Sequence, residues 1–192
     1  VSAVYDGPVE RRTWTVTDKA AWGPGPWRDE PDKEQFTDEA TGLPCLIVRN
    51  SAGALCGYVG VGEGHPWFGK DPGDLETRTA FEVDYADLCQ EGPEAETICH
   101  VPAPGEPDRV WWLGFHCSHA WDISPGIEAR EESLHGWEPV RLAGASYKTA
   151  ACVKALCAVL AADAVAAARS SRRALDRAQG AGNCAGGPIR GL

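Results

Sequence analysis

The sequence predicts an α+β fold: an antiparallel sheet of about four to six strands with a C-terminal helix packed on one face. Three observations predict it. Two β-rich apolar runs, Leu43–Arg49 and Ala54–Val61, flank Asn50-Ser51-Ala52-Gly53, the signature of a hairpin. Arg109–Cys117 is nearly continuously apolar, as an internal strand requires. Near the C-terminus, Val153, Leu156, Cys157 and Leu160 recur at three- and four-residue spacing and give one apolar helical face. A chain of 192 residues can bury a real core as one domain.

In chain order, residues 1–32 are expected to be irregular, because Gly23-Pro24-Gly25-Pro26 forbids a helix. Trp22 and Trp27 would pin this segment to the body. Residues 33–160 form the α+β domain. Glu34–Thr37 is its first strand, Ala40-Thr41-Gly42 a turn, and the hairpin Leu43–Val61 its centre. A glycine-rich loop follows from Gly60 to Asp74. Ala80–Leu88 fits either a strand or a short helix. Thr97–Val101 reads as a strand ended by Pro102, Arg109–Cys117 as the next, and Asp122–Gly126 as a loop closed by Pro125. Ser146 is the expected helix N-cap. Residues 161–192 are an alanine-rich helix extension, reaching about Gln179 with little to bury, and a disordered tail.

A net charge of −10, with acidic residues spread through the first 140 positions, excludes a protein that grips nucleic-acid backbone through a basic stripe. The run Glu30, Asp32, Glu34, Asp38 and Glu39 is read as a solvated face. The stretch VSAVYDGPVERRTW lacks the basic-then-apolar pattern of a signal segment, so none is expected, nor is a membrane-spanning run of roughly 18 apolar residues. The expected compartment is the cytoplasm, with reduced thiols. No Cys-x-x-Cys pair suggests a zinc ribbon or a thioredoxin-like centre; Cys45, Cys56, Cys89, Cys152 and Cys157 are read as core. Val1 and the absence of methionine are what a literally translated GTG start in a GC-rich gene would give.

The segment Val110–Gly126 concentrates the chemistry. Two tryptophans lead into His116, Cys117, Ser118, His119 and Asp122, apolar residues running into polar groups as a small-molecule or metal site requires. On a helical turn His116, His119 and Asp122 would share a face; on a strand His116 and His119 would alternate. Either arrangement could supply zinc ligands, with Cys99 or His100 added from a neighbouring strand. His65, between Gly64 and Pro66, sits on a loop from which it could reach a cleft. Trp111 and Trp112 point to opposite sides of a strand, so one packs on the core; we take Trp112 as a stacking platform, its alternative being packing under the C-terminal helix. Cys117 beside His119 has no evident activating base and reads as a small buried hydrophobe. Gly57, Gly60, Gly62 and Gly64 precede no helix and do not make a phosphate loop.

The combination WGPGPW…EPDK, TGLPCLIVRN, GALCGYVGV, GHPW, ICHVPAPGEPD and VWWLGFHCSHAWD resembles a family of small uncharacterised proteins of bacteriophages, prophages and their hosts. The resemblance spans roughly residues 22–126, with a weaker echo in the helix from Tyr147. It implies a phage-type accessory protein and no particular activity. The chain departs from the family twice. A His-Gly-Gly-Leu-Thr stretch before the cysteine matching Cys89 is missing, and His116 stands where the family has Asp. His65, His100, Cys117, His119 and Asp122 match.

The leading expectation is a protein that binds a small molecule or nucleotide near the Gly64-His65-Pro66 loop and the His116–Asp122 segment, using His65, Trp112, His119 and Asp122. A second is a metal-dependent hydrolase with His116, His119 and Asp122 as zinc ligands and His65 or His100 as acid/base. A third, from a different class, is an acidic interaction module that antagonises a host factor.

Overall fold

The computed structural model describes residues 10–102, 109–136 and 138–182. Its centre is a six-stranded antiparallel sheet in the order β1-β2-β3-β4-β6-β5. The strands are β1 (Arg12–Trp14), β2 (Lys33–Thr37), β3 (Pro44–Arg49), β4 (Leu55–Val61), β5 (Tyr85–Leu88) and β6 (Trp111–Phe115). Two helices follow, α1 (Pro125–His135) and α2 (Ala150–Gly182). The β3–β4 hairpin pairs Cys45 with Val59 and Arg49 with Leu55, and β6 lies on its far side with Gly57 opposite Phe115 and Val61 opposite Trp111.

Both faces of the sheet are covered, which is why β3, β4 and β6 read as unbroken apolar runs rather than alternating ones. On one face Cys45, Ile47, Leu55, Val59, Leu113 and Phe115 pack against Val153, Cys157, Leu160, Ala161 and Ala164 of α2. On the other, Leu46, Val48, Cys56, Tyr58 and Trp112 pack against Ile98, Val110 and Cys89. Gly57 faces α2: a Cβ there would run into the Phe115 ring and the Cys157 sulfur. Only the first half of α2 docks in this way. Leu175, further along, is exposed.

The covering layer over the second face is not a strand. Thr97–Val101, expected to be one, forms no ladder: one backbone bond, from the Gln90 N–H to the Ile98 carbonyl (3.2 Å), joins it to the segment after β5, and side chains supply further ones. Gln90 accepts the Ile98 N–H (3.0 Å) and Gln35 accepts the Val101 N–H (2.8 Å). The N-terminal segment, expected to be irregular throughout, contributes β1, which pairs with β2. Trp27 is buried and meets Tyr147 edge-on, 5.1 Å between ring centres. The expected loop at Pro125 is the start of α1, with Pro125 in its first turn and a left-handed Gly136 at its end. Thr149 rather than Ser146 caps α2, its hydroxyl accepting the Cys152 N–H at 3.3 Å. The tail beyond residue 182, expected to be disordered, lies outside the described residues.

In the acidic run read as a solvated face, Asp32 and Glu34 are instead buried and paired, Glu30 and Asp38 are half-buried, and Glu39 is exposed. Glu34 meets Lys154 of α2 (2.6 Å) and Arg11 (2.8 Å), while Lys33 donates to the Glu94 carbonyl. Burial pushes the Lys33 ammonium down to about 8, against the pull of Glu94. Asp32 is the centre of a second cluster. Its carboxylate accepts the Val16 and Thr17 N–H groups (both 2.8 Å) and meets Lys19 (2.7 Å) and Arg49 (2.8 Å). Burial alone would raise the Asp32 carboxyl; Lys19, the two N–H groups and Arg49 outweigh it and hold it below the ordinary value.

One disulfide, Cys89–Cys99, corrects the expectation that all thiols are reduced and that Cys89 is a plain core residue. Cys45, Cys56, Cys117 and Cys157 are free and buried, whereas Cys152, also read as core, is exposed. By length and composition the stretch Ala150–Gln179 could cross a membrane, contrary to the sequence reading. In the fold, the face bearing Val153, Cys157 and Leu160 is occupied by the sheet.

Truncation of Leu160 to Ala should cost about 2–5 kcal/mol in urea unfolding, and of Leu175 to Ala under about 0.5 kcal/mol, because only the first half of α2 is core. Asp32, with a folded value below its unfolded one, contributes stability above its unfolded value that is lost as pH falls. Wild-type unfolding free energy should drop below about pH 4, and Asp32→Asn should flatten that drop while lowering stability at pH 7.

Candidate functional site

His65 follows β4 on the loop that turns back over the end of the sheet, and both its ring nitrogens are committed. Nδ1 accepts the Trp67 N–H (3.1 Å) and Nε2 donates to the Ala164 carbonyl of α2 (2.9 Å). This pattern fits only the neutral ring, and burial lowers the His65 value, with the Ala164 carbonyl opposing. The loop histidine is therefore a latch between loop and helix. It is not poised as the acid/base of a hydrolase.

What the latch holds in place is a cleft of about 390 Å³ between this loop, residues 76–78 and the middle of α2. Pro66 and Trp67 contribute apolar wall; Lys70 and Arg78 contribute cations; Ser170 and Ser171 contribute hydroxyls. Asp163 also lines it, and its carboxylate accepts the Arg78 backbone N–H, tying the 76–78 segment to α2. Trp111, at the end of β6, donates its indole N–H to the Lys70 carbonyl (3.2 Å) and packs near Phe68.

His116, His119 and Asp122 lie at the opposite end of β6. The register places Trp111 beside Val61, near the His65 loop, and Phe115 beside Gly57. Four strand steps separate the two ends, roughly 13 Å at about 3.3 Å per residue. His65 and His119 consequently do not share one concavity.

Within the segment, His116 is half-buried and His119 exposed, and the two stack on each other, ring centres 4.2 Å apart and 23° from parallel. Each is oriented by its own carboxylate. His116 Nδ1 pairs with Asp84, and His119 Nδ1 with Asp122 at 3.2 Å. Asp122 also accepts the His119 backbone N–H (3.1 Å) and lies 3.5 Å from Lys148. Chemistry from either imidazole would thus be delivered through Nε2. His116, His119 and Asp122 do not converge as three metal ligands, because Asp122 stands behind His119 and holds it. Cys117 is buried, and burial with the nearby Asp122 carboxylate pushes its thiol up to about 12, which leaves it protonated and inert as a nucleophile.

Trp112, taken as a stacking platform, is fully buried and corrects that expectation. Its side of β6 faces the covering layer, not α2. It meets His100 edge-on at 5.6 Å and donates its N–H to the Cys89 sulfur at 3.4 Å. Among the described residues, the group that brings three metal-capable donors within 4.8 Å of one another is Cys89, Cys99 and His100.

Sequence reasoning missed Lys70, Arg78, Asp163, Ser170 and Ser171 as neighbours, and Asp84 as the partner of His116. No motif links them: the cleft residues meet because α2 lies across the sheet, and Asp84 meets His116 because β5 pairs with β6, the Asp84 N–H donating to the Gly114 carbonyl (3.0 Å). Compared with family models, curated proteins and solved structures, the chain matches none.

A histidine whose folded value is depressed loses stability for the fold as pH drops through its unfolded value, near 6.5, since the unfolded chain then binds the extra proton. Wild-type stability should fall between about pH 6.5 and 5 more steeply than that of His65→Gln, as read from urea midpoints across that window. Parallel curves would show that His65 is not held neutral.

Proposed function

We propose that this is a phage-type accessory protein that binds a small anionic molecule, a nucleotide or a comparable phosphate ester, in the cleft between the Gly64-His65-Pro66 loop and α2. The observation that carries this reading is the convergence, in one concavity of about 390 Å³, of Lys70 and Arg78 with the Ser170 and Ser171 hydroxyls beside Pro66 and Trp67. That size falls within the range of small-ligand sites, and a few polar groups on an apolar wall are how such sites orient a ligand. An ammonium and a guanidinium suit phosphate oxygens. Glu76 and Asp163 on the same rim would discriminate against highly charged ligands, since each carboxylate repels further negative charge.

The hydrolase reading keeps one supporting observation: two stacked imidazoles, each oriented through Nδ1 by a carboxylate. In that arrangement Nε2 of His116 and His119 would hold zinc or move protons, with Asp84 and Asp122 as orienting groups. A double substitution of His116 and His119 to Ala should abolish any zinc-stimulated esterase or phosphatase activity, and activity unaffected by it would reject this use of the segment.

For the cleft, thermal unfolding should be followed in the presence of nucleoside mono- and diphosphates and sugar phosphates. A ligand at 100 times its Kd adds about 2.7 kcal/mol, which raises the midpoint of a domain this size by roughly 5–10 °C. Lys70→Glu and Arg78→Glu should each remove the rise without changing the midpoint of the unliganded protein by more than about 2 °C. No rise with any of these compounds would refute the ligand class. A rise that survives both substitutions would refute the cleft.

A further inference from the structure

We propose that Cys89, Cys99 and His100 form a second site, one that takes a thiophilic divalent metal ion of the zinc type when the Cys89–Cys99 disulfide is reduced. The three donors already stand within 4.8 Å of one another. Cys89 Sγ and His100 Nδ1 are 4.0 Å apart, close to the separation of about 3.6 Å that a sulfur and a nitrogen subtend at one tetrahedral zinc ion. Two thiolates and one neutral imidazole are a zinc donor set. His100 is buried while the two cysteines are half-buried.

The backbone on both sides is pinned independently of the disulfide. Gln90 N–H donates to the Ile98 carbonyl (3.2 Å), and the Gln90 side chain accepts the Ile98 N–H. Gln35, buried in β2, accepts the Val101 N–H. Breaking the S–S bond therefore leaves the sulfurs facing each other. The Trp112 N–H, aimed at the Cys89 sulfur, would stabilise the thiolate there, as hydrogen bonds from outside the ligand set do in metal–thiolate sites.

A small-molecule dithiol supplies the reduction. It delivers two electrons and two protons to the protein disulfide, giving two Cys–SH groups, and is itself oxidised to a cyclic disulfide. Metal entry then releases the two thiol protons to solvent, and His100 binds through Nδ1 as the neutral ring. Oxidised protein has no thiolates to offer, so the disulfide is the closed state of the site.

The test uses the untagged full chain, reduced with dithiothreitol, freed of it under nitrogen and titrated with Co²⁺. Reduced wild type should bind about one equivalent with a sulfur-to-cobalt charge-transfer band, and the disulfide form should show none. Cys89→Ser and Cys99→Ser should lose the band, and Cys152→Ser should keep it. His100→Ala, which retains both cysteines and the disulfide that stabilises the chain during purification, should weaken binding at least tenfold. Absence of the band in reduced wild type overturns the proposal. So does its persistence in either cysteine variant, or His100→Ala binding as tightly as wild type. Because these readouts require sulfur ligation at Cys89 and Cys99, they are independent of the cleft and of the His116–His119 pair.

Discussion

The guanidinium of Arg49, buried at the end of β3, is the group on which the arrangement of the remaining segments depends. Its side chain is 1% exposed and sits between the carboxylates of Asp32 and Glu30. It donates to the Pro31 carbonyl (3.1 Å), the Gly53 carbonyl (2.9 Å) and the Tyr147 hydroxyl (2.8 Å). Tyr147 passes the connection on to Glu30 (2.7 Å), and Glu30 accepts the Ala150 N–H at the start of α2 (2.7 Å). One buried cation thereby joins the N-terminal segment, the hairpin turn and the helix that forms half of the cleft. A carboxylate at a helix N-terminus also complements the helix dipole. Removing one partner from a buried ionic cluster typically costs about 3–5 kcal/mol, since the others remain buried without compensation.

Each candidate site inherits its position from this frame. The sheet runs between two ends: the end of β4 carries the loop latched by His65, and the end of β6 carries the stacked histidines. α2 crosses one face and supplies Asp163, Ser170 and Ser171 to the cleft, while the opposite face carries the disulfide, His100 and Trp112. The three groups are thus kept apart by the sheet, so that polar residues scattered through the sequence do not add up to one centre.

Much of the fold was legible because its signals are local or periodic. The hairpin is marked by Asn50 and Gly53 between apolar runs, and Val153, Cys157 and Leu160 mark the docked face of α2. α1 was missed because it has no apolar stripe; Ser124-Pro125 ahead of Glu128, with Gly136 at the far end, was the available signal. β1 was missed because three mostly exposed residues carry no alternation and become a strand only through β2. Thr97–Val101 has strand composition, yet it shares one backbone bond with Gln90, and its Ile98 and Val101 N–H groups go to glutamine side chains. At the candidate sites, His65, His116, His119 and Asp122 stood out as residues. Their roles did not, because whether an imidazole is a latch or a reactive group depends on what faces both ring nitrogens. Asp84 and Ala164 come from distant parts of the chain. The burial of Lys33, Glu34 and Gln35 was equally hidden, since charged residues in a short strand look solvated until a helix and a loop close over them.

Hydrogen exchange followed by mass spectrometry on Arg49→Met isolates the role of the buried cation, since methionine keeps much of the side-chain volume and removes the charge. If Arg49 joins the segments, protection at residues 14–17 and across the first turns of α2, residues 150–157, should be lost together, while residues 55–60 of β4 stay the most protected part of the chain. Full protection at residues 150–157 in a variant whose residues 14–17 have opened would contradict that role for Arg49. It would show that α2 is held by its apolar face alone.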